Sequence, residues 1–261
     1  MAQVQIEKLT IAYKKPRSQT LFTAVKDVNL SIEKGQFVTV VGPSGCGKSS
    51  ILMTIDGLIQ PTEGQVLING HQISEPGPDR AVVFQEFALL PWRNVLDNIM
   101  FSLELRYRKA KDNEQKARNY LELVGLKGFE NYYPHQLSGG MRQRVGIARA
   151  LAVEPEIILM DEPFGALDAQ TREIMAEELL RIWDRQQKTV IFITHGIDEA
   201  VYMADQVVIM GTRPGKIKEI LKIDLPRPRN FEMKDSPAFA NYRRHIWTLL
   251  KEEAEKSILE S

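Results

Sequence analysis

Apolar and polar positions alternate over residues 4–11 and again over 28–32, the period of a strand with one buried face. Residues 37–41 form a short β-branched run bounded by glycines, and 65–68 run into the turn pair Asn69-Gly70. A further strand over 81–84 follows the turn-rich stretch 75–79. From 95 to 123 the pattern becomes helical and charged, and a second helix over 141–152 starts just behind Ser138-Gly139-Gly140. Then come an apolar run at 157–160, a helix over 170–187, a strand over 189–194, a helix over 197–204 and a strand over 206–210. Apolar strands alternating with helices predict an α/β fold with a buried parallel sheet, preceded by a β-rich opening segment. The mostly helical stretch at about 86–145 reads as an inserted subdomain. Past Gly211 the string "RPGKI" predicts a turn and a strand start. Residues 225–229 are stiffened by proline, and 239–258 predict a terminal amphipathic helix whose charge run faces solvent. The expected division is a main domain over 1–230 and a helical extension over 231–261.

The chain has 261 residues, 34 Lys+Arg against 34 Asp+Glu, and a net charge of zero. At 43% hydrophobic and 26% charged it has ordinary globular composition. Such a chain holds one large domain, or one domain with a small appendage. The charge balance argues against nucleic acid as the main partner, because gripping phosphates over a long surface needs a basic surplus. The single cysteine, Cys46, has no internal disulfide partner and suits a reducing compartment. No stretch approaches the roughly 18 apolar residues of a membrane span, and the first residues lack the pattern of a secretory signal. The expectation is an intracellular chain that relies on other chains for any work inside a membrane.

Gly42-Pro43-Ser44-Gly45-Cys46-Gly47-Lys48-Ser49 fits the phosphate-loop pattern G-x-x-x-x-G-K-[ST], with an apolar strand before it and a helix, opening at Ser49-Ser50, after it. Glycines let the backbone wrap closely and aim successive N–H groups at phosphate oxygens. The helix behind adds its positive N-terminal end. In this pattern Lys48 reaches the β- and γ-phosphates and Ser49 offers a hydroxyl to Mg²⁺. Cys46 is read as a small loop residue. The apolar run 157–160 ends in Asp161-Glu162, as a buried strand does when it delivers carboxylates to a site. In phosphate-loop enzymes the first holds Mg²⁺, and a following glutamate can take a proton from the attacking water.

Leu137-Ser138-Gly139-Gly140-Met141-Arg142-Gln143-Arg144 lies ahead of Asp161. With the two motifs above, the chain resembles the ATP-binding cassette ATPases, whose signature is "LSGGQ"; Met141 stands here where glutamine is common. The resemblance implies a phosphate-loop cassette fold with a RecA-like parallel core, an antiparallel β-subdomain and an inserted α-helical subdomain. It implies ATP and Mg²⁺ as ligands, and a head-to-tail dimer in which the phosphate loop of one subunit faces Ser138, Gly139 and Gly140 of the other. It further implies that Gln85 is the glutamine that senses Mg²⁺ and the attacking water. In the same way Asp168 belongs to the loop crossing the dimer interface, His195 contacts the γ-phosphate, and Tyr13 stacks on adenine. His71, His135 and His245 are read as ordinary surface or core residues.

"GPDR" (77–80), "LLPWRNVLDNI" (89–99), "RPGKI" and "LPRPR" look like the nitrate, sulfonate and taurine importer branch of that family. That likeness implies a cassette pair at the cytoplasmic face of the cell membrane, bound to separate permease subunits. An extracytoplasmic substrate-binding protein would deliver the solute, with no nucleic acid among the partners. The apolar stretch 87–92 is either part of the groove that takes a permease helix or internal packing of the helical subdomain. The alternative function is a non-transport cassette ATPase of DNA repair or translation. The long coiled-coil or metal-binding insertions of the repair members and the second cassette of the translation members are both missing from this sequence.

Overall fold

The run Phe37–Val41 has no polar face to offer water except one threonine hydroxyl, and all of it is buried. Thr39 resolves its exception by donating to Ala200 O at 3.4 Å. The computed structural model describes residues 2–14, 20–108, 110–212 and 214–259, the last three of these as backbone.

In chain order the elements are β1 (Ala2–Lys14), β2 (Leu21–Glu33), β3 (Phe37–Val41), α1 (Lys48–Asp56), β4 (Glu63–Ile68), β5 (His71–Gln72) and β6 (Arg80–Val83). There follow α2 (Val95–Tyr107), α3 (Asn113–Leu123), α4 (Gly139–Ala152), β7 (Ile157–Asp161) and α5 (Ala169–Gln186). The chain closes with β8 (Thr189–Ile193), α6 (Ile197–Met203), β9 (Gln206–Gly211), β10 (Lys216–Lys222) and α7 (Pro237–Leu259). It divides into two compact units, Met1–Gly77 with Thr189–Ser261, and Pro78–Lys188.

The first unit holds an antiparallel sheet in the order β2-β1-β4-β5. It also holds β3 paired in parallel with β8 on one side and β9 on the other, with β10 antiparallel to β9. A strand flanked on both sides and covered on both faces reads as a continuous apolar run, as β3 does. Val40 pairs with Ile193 in the β3–β8 register. The loop after β3 and the turn after β8 therefore leave the sheet at the same, C-terminal end, where ligands bind in open α/β sheets. Helix α7 packs on α6 and β9, burying Phe239 and Ile246, seven residues apart and so on one helix face.

In the second unit β6 and β7 are parallel, with Val83 opposite Met160. Residues just past these strands, Gln85 on one and Glu162 on the other, again leave at one end. The expected single helical stretch 95–123 is two helices. The chain turns where Arg108 adopts a left-handed φ of 55° and the Asn113 side chain donates to Arg108 O at 2.7 Å. The corner lets Leu103 of α2 and Ala117 and Leu121 of α3 all reach full burial.

Candidate functional site

The phosphate loop is built on the first unit. Gly47 has a φ of 92°, and a Cβ there would lie 2.3 Å from Val25 Cγ2, so only glycine fits. Helix α1 starts directly behind it. Its cap makes no side-chain hydrogen bond and its first turn carries no acidic residue. Its leading N–H groups thus have no competing anion from that turn. Lys48 is 5% exposed and its ammonium donates to Gly42 O at 2.9 Å and Pro43 O at 3.0 Å. No carboxylate lies within ion-pair distance of it among the described residues. The Cys46 sulfur at 3.9 Å is its one other partner among the described residues. A buried cation held by neutral groups alone is undercompensated, and an incoming anion would relieve that cost. Burial pushes the Cys46 thiol up, with Lys48 pulling the other way, so Cys46 is an inert filler of the loop, as its small size suggested.

Ser44, Gly45 and Ser49 are exposed, and Ser50 is half-buried. The Tyr13 hydroxyl donates to Ser50 Oγ at 2.9 Å, which ties an exposed ring at the end of β1 to the first turn of α1. His195 is exposed just past β8. Its turn is fixed by Thr194, whose hydroxyl donates to Glu199 Oε2 at 2.5 Å and accepts from Gly196 N–H at 2.9 Å.

The second unit carries the rest of the expected set. Asp161 ends β7 and Glu162 follows in a left-handed conformation, φ 45°, unusual for a non-glycine residue. Glu162 O accepts from Gly165 N–H at 2.9 Å, closing the turn. A Cβ at Gly165 would lie 3.1 Å from Gln85 Nε2, so the Gln85 amide rests against this same turn. Both carboxylates are half-buried.

Ser138 caps α4, its Oγ accepting from Met141 N–H at 3.3 Å. Gly139 and Gly140 press against the next segment: Cβ atoms there would stand 3.2 Å from Leu167 Cδ2 and 3.0 Å from Thr171 Cγ2. Asp168 caps α5 by accepting from Thr171 N–H at 3.0 Å. The Thr171 N–H and hydroxyl hold its carboxyl below the usual range. The signature start and the Asp168 turn therefore form one packed corner. The loop 87–92 is held on α4 by residues the sequence reading did not single out. Arg149 donates to Ala88 O at 2.6 Å and to Phe87 O at 3.3 Å, and Arg142 lies 5.0 Å above the Phe87 ring. Phe87, Leu89 and Leu90 are half-buried, while Trp92 is 73% exposed.

Comparison with known proteins gives the family of the chain. Residues 25–165 match the family described as ABC transporter. The chain is 54% identical over 235 residues to an uncharacterized ABC transporter ATP-binding protein of Methanocaldococcus jannaschii, covering 90% of this chain and 87% of that protein. It is 48% identical over 232 residues to a nitrate import ATP-binding protein of Synechococcus elongatus, with 87% and 85% coverage. To an aliphatic sulfonates import ATP-binding protein of Bacillus cereus it is 46% identical over 222 residues, with 85% and 86% coverage. Among solved structures it is similar to a dimeric ATP-binding cassette in a post-hydrolysis state bound to ADP and Pi, with a TM-score of 0.75 and 35% identity. That match covers 85% of this chain and all of the other.

Proposed function

The chain belongs to the ABC transporter family as an ATP-binding, ATP-hydrolysing cassette, and from that premise we propose that it drives uptake of a small oxyanion such as nitrate or a sulfonate. Two copies, or this chain and a paralogue, would close head to tail around ATP beneath separate permease subunits, fed by an extracytoplasmic substrate-binding protein. No helix among the described residues is long and apolar enough to cross a membrane, so permease chains would supply the path. The chain would sit peripherally at the cytoplasmic face, with the loop 87–92 and its exposed Trp92 turned to a permease helix. The names of the nitrate and sulfonate relatives support the importer reading over a repair or translation role.

The observation that carries the ATP site is the buried Lys48 ammonium at an uncapped helix start, a cation without a carboxylate. We assign Gly42–Ser50 to the phosphates, Lys48 to the β- and γ-oxygens and Tyr13 to the adenine face. Ser49, Gln85 and Asp161 offer the hard oxygen donors that suit Mg²⁺, and among the described residues no cluster of three His, Cys, Asp or Glu suggests a different metal. When bound, Mg²⁺ neutralises charge on the transferring phosphoryl group. Glu162 would take the proton of the attacking water, Gln85 would orient that water, and His195 would contact the γ-phosphate. Ser138, Gly139, Gly140 and Asp168 would act on the nucleotide of the opposing subunit. The test is purification of the chain from membranes with its permease, followed by uptake in vesicles. ATP-dependent uptake of nitrate or a sulfonate that Lys48→Ala abolishes supports the reading. A chain that never accompanies a permease, or uptake indifferent to Lys48→Ala, refutes it.

A further inference from the structure

The hairpin of β9 and β10 touches both ends of the phosphate loop. At the near end a Cβ on Gly42 would meet Met210 O at 2.9 Å. At the far end a Cβ on Gly215 would fall 1.9 Å from Cys46 O and 2.9 Å from Ala24 O. Gly215 is locked there from both sides, its N–H donating to Ala24 O at 2.9 Å and its carbonyl accepting from Lys26 N–H at 2.9 Å. No side chain fits between Gly215 and the loop, so the Gly215 backbone is the surface against which the Cys46 carbonyl rests. Gly47 rests on Ala24 and Val25, in the strand to which Gly215 is bonded.

The same turn is gripped from its other side by the C-terminal helix. The Glu253 carboxylate of α7 is buried and accepts from Thr212 N–H at 3.2 Å, and a Cβ on Gly211 would lie 2.5 Å from its Oε2. Lys218 of β10 reaches Glu253 at 3.2 Å and Glu252 at 2.7 Å, fastening the strand behind the turn to the same helix. Burial pushes the Glu253 carboxyl up, but Lys218, the Thr212 N–H and Lys256 together hold it below the usual range, so it is ionised at neutral pH. A helix far along the chain from the phosphate loop is therefore one turn away from it in space.

We propose that Gly215 and Glu253 are positioning residues for nucleotide binding, forming a back wall that fixes the shape of the phosphate loop. The proposal rests on the reading of Gly42–Ser49 as the phosphate cradle. It gives the C-terminal helix a task beyond packing: anything that loosens α7 weakens the grip on nucleotide. Because the wall supports the loop around Cys46 and Gly47, which would hold the phosphates common to both nucleotides, its loss affects ATP and ADP alike. A defect in His195 or Glu162 would discriminate between them.

The experiment measures ATP and ADP affinity of the full chain by titration calorimetry, well below each variant's melting temperature, for Gly215→Ala, Glu253→Ala, Glu253→Gln and Lys48→Ala. Gly215→Ala must push the loop or the turn by about an ångström or more to clear Cys46 O, and is expected to weaken both nucleotides about tenfold or more. Glu253→Ala, which only loosens the turn, should weaken them about threefold to tenfold. Glu253→Gln keeps an acceptor for Thr212 N–H and should recover most of the Glu253→Ala loss. A purely structural role would lower the melting temperature and leave the affinities of the folded protein alone. If Gly215→Ala does not fold, the Glu253 pair decides. Folded Glu253→Ala binding both nucleotides within twofold of wild type overturns the proposal, provided Lys48→Ala has lost affinity. If Lys48→Ala is also unaffected, the cradle reading has failed and the proposal falls with it.

Discussion

Helix α1 begins at Gly47, a cap without a side chain, whereas α4 begins at Ser138, whose own Oγ accepts from Met141 N–H. Neither first turn carries an acidic residue. In the first turn of α1 stands Lys48, a buried cation whose partners are the Gly42 and Pro43 carbonyls and, at 3.9 Å, the Cys46 sulfur. In the first turns of α4 the cation Arg142 is already engaged, donating to Leu137 O at 2.6 Å and lying over Phe87. Both starts have the chemistry of anion sites, but they differ in strength. In the proposed reading the first, with the charged donor Lys48, holds the polyphosphate within one chain. The second has an exposed serine that caps its own helix, a glycine pair, and a cation, Arg142, engaged elsewhere. A weak anion site of that kind contributes when another surface brings the anion to it. That asymmetry is the physical argument for ATP shared between two subunits.

The largest expected effect separates chemistry from both starts. Glu162→Gln removes the proposed base and should cut turnover by roughly 10²–10⁴-fold while both starts keep their grip. ATP-bound dimer should then accumulate in size-exclusion runs. Wild-type turnover would remove Glu162 from the role. Next comes the strong start itself. Lys48→Ala deletes the charged donor, a loss of about 1.5–3 kcal/mol that corresponds to at least about tenfold in ATP affinity. Equilibrium titration of the dilute subunit reads it, and unchanged affinity would erase the contrast between the two helices.

The corner under the weak start should respond through packing. Gly140→Ala places a methyl about 3.0 Å from Thr171 Cγ2 at the α4–α5 corner, and overpacking costs about 1–3 kcal/mol. Thermal unfolding should show the loss, with the monomer's ATP affinity preserved. A fall in monomer affinity would join the two starts that the comparison separates. The smallest effect concerns the cap of the adjoining helix. The Asp168 carboxyl is held low by Thr171, so its contribution is present above the ordinary carboxylate range and fades as pH falls through the lowered value. Asp168→Asn keeps a capping oxygen without the charge, and its melting temperature should show a slightly flatter decline in acid than wild type. An identical acid limb would mean the Thr171 bonds do not depend on ionisation.

Short-range chemistry was the legible part. The spacing from Gly42 to Ser49, the string from Leu137 to Gly140 and the carboxylates ending an apolar run all announce themselves, because each is contiguous in the chain. The β-rich opening and the buried strands followed from period and β-branching, while the antiparallel pairing came from the family resemblance. What escaped depends on distant segments meeting. The break between α2 and α3 falls in a stretch without glycine or proline, and Asn113 helps to close it, its side chain donating to Arg108 O and its N–H to Ala110 O, over the core beneath. Arg149 reads as an ordinary helical charge until Ala88 O and Phe87 O arrive beside it. Gly215 reads as a turn glycine, and its true constraint, the backbone of Cys46, lies far away in sequence. The left-handed Glu162 gives no signal at all, since nothing in its residue type favours that conformation.

The division of labour between the two helix starts is tested most directly by Ser138→Arg, measured as ATP affinity of the dilute subunit alongside ATP-dependent dimerisation. The substitution removes the α4 cap, at a cost of about 1 kcal/mol, so affinity is read well below the melting temperature. It leaves Tyr13 and the loop Gly42–Ser49 untouched and puts bulk where the opposing nucleotide would sit. The account predicts wild-type ATP affinity in the monomer together with loss of the ATP-dependent dimer. Collapse of affinity in the monomer would contradict it, because Ser138 would then belong to its own chain's site and no nucleotide would be shared.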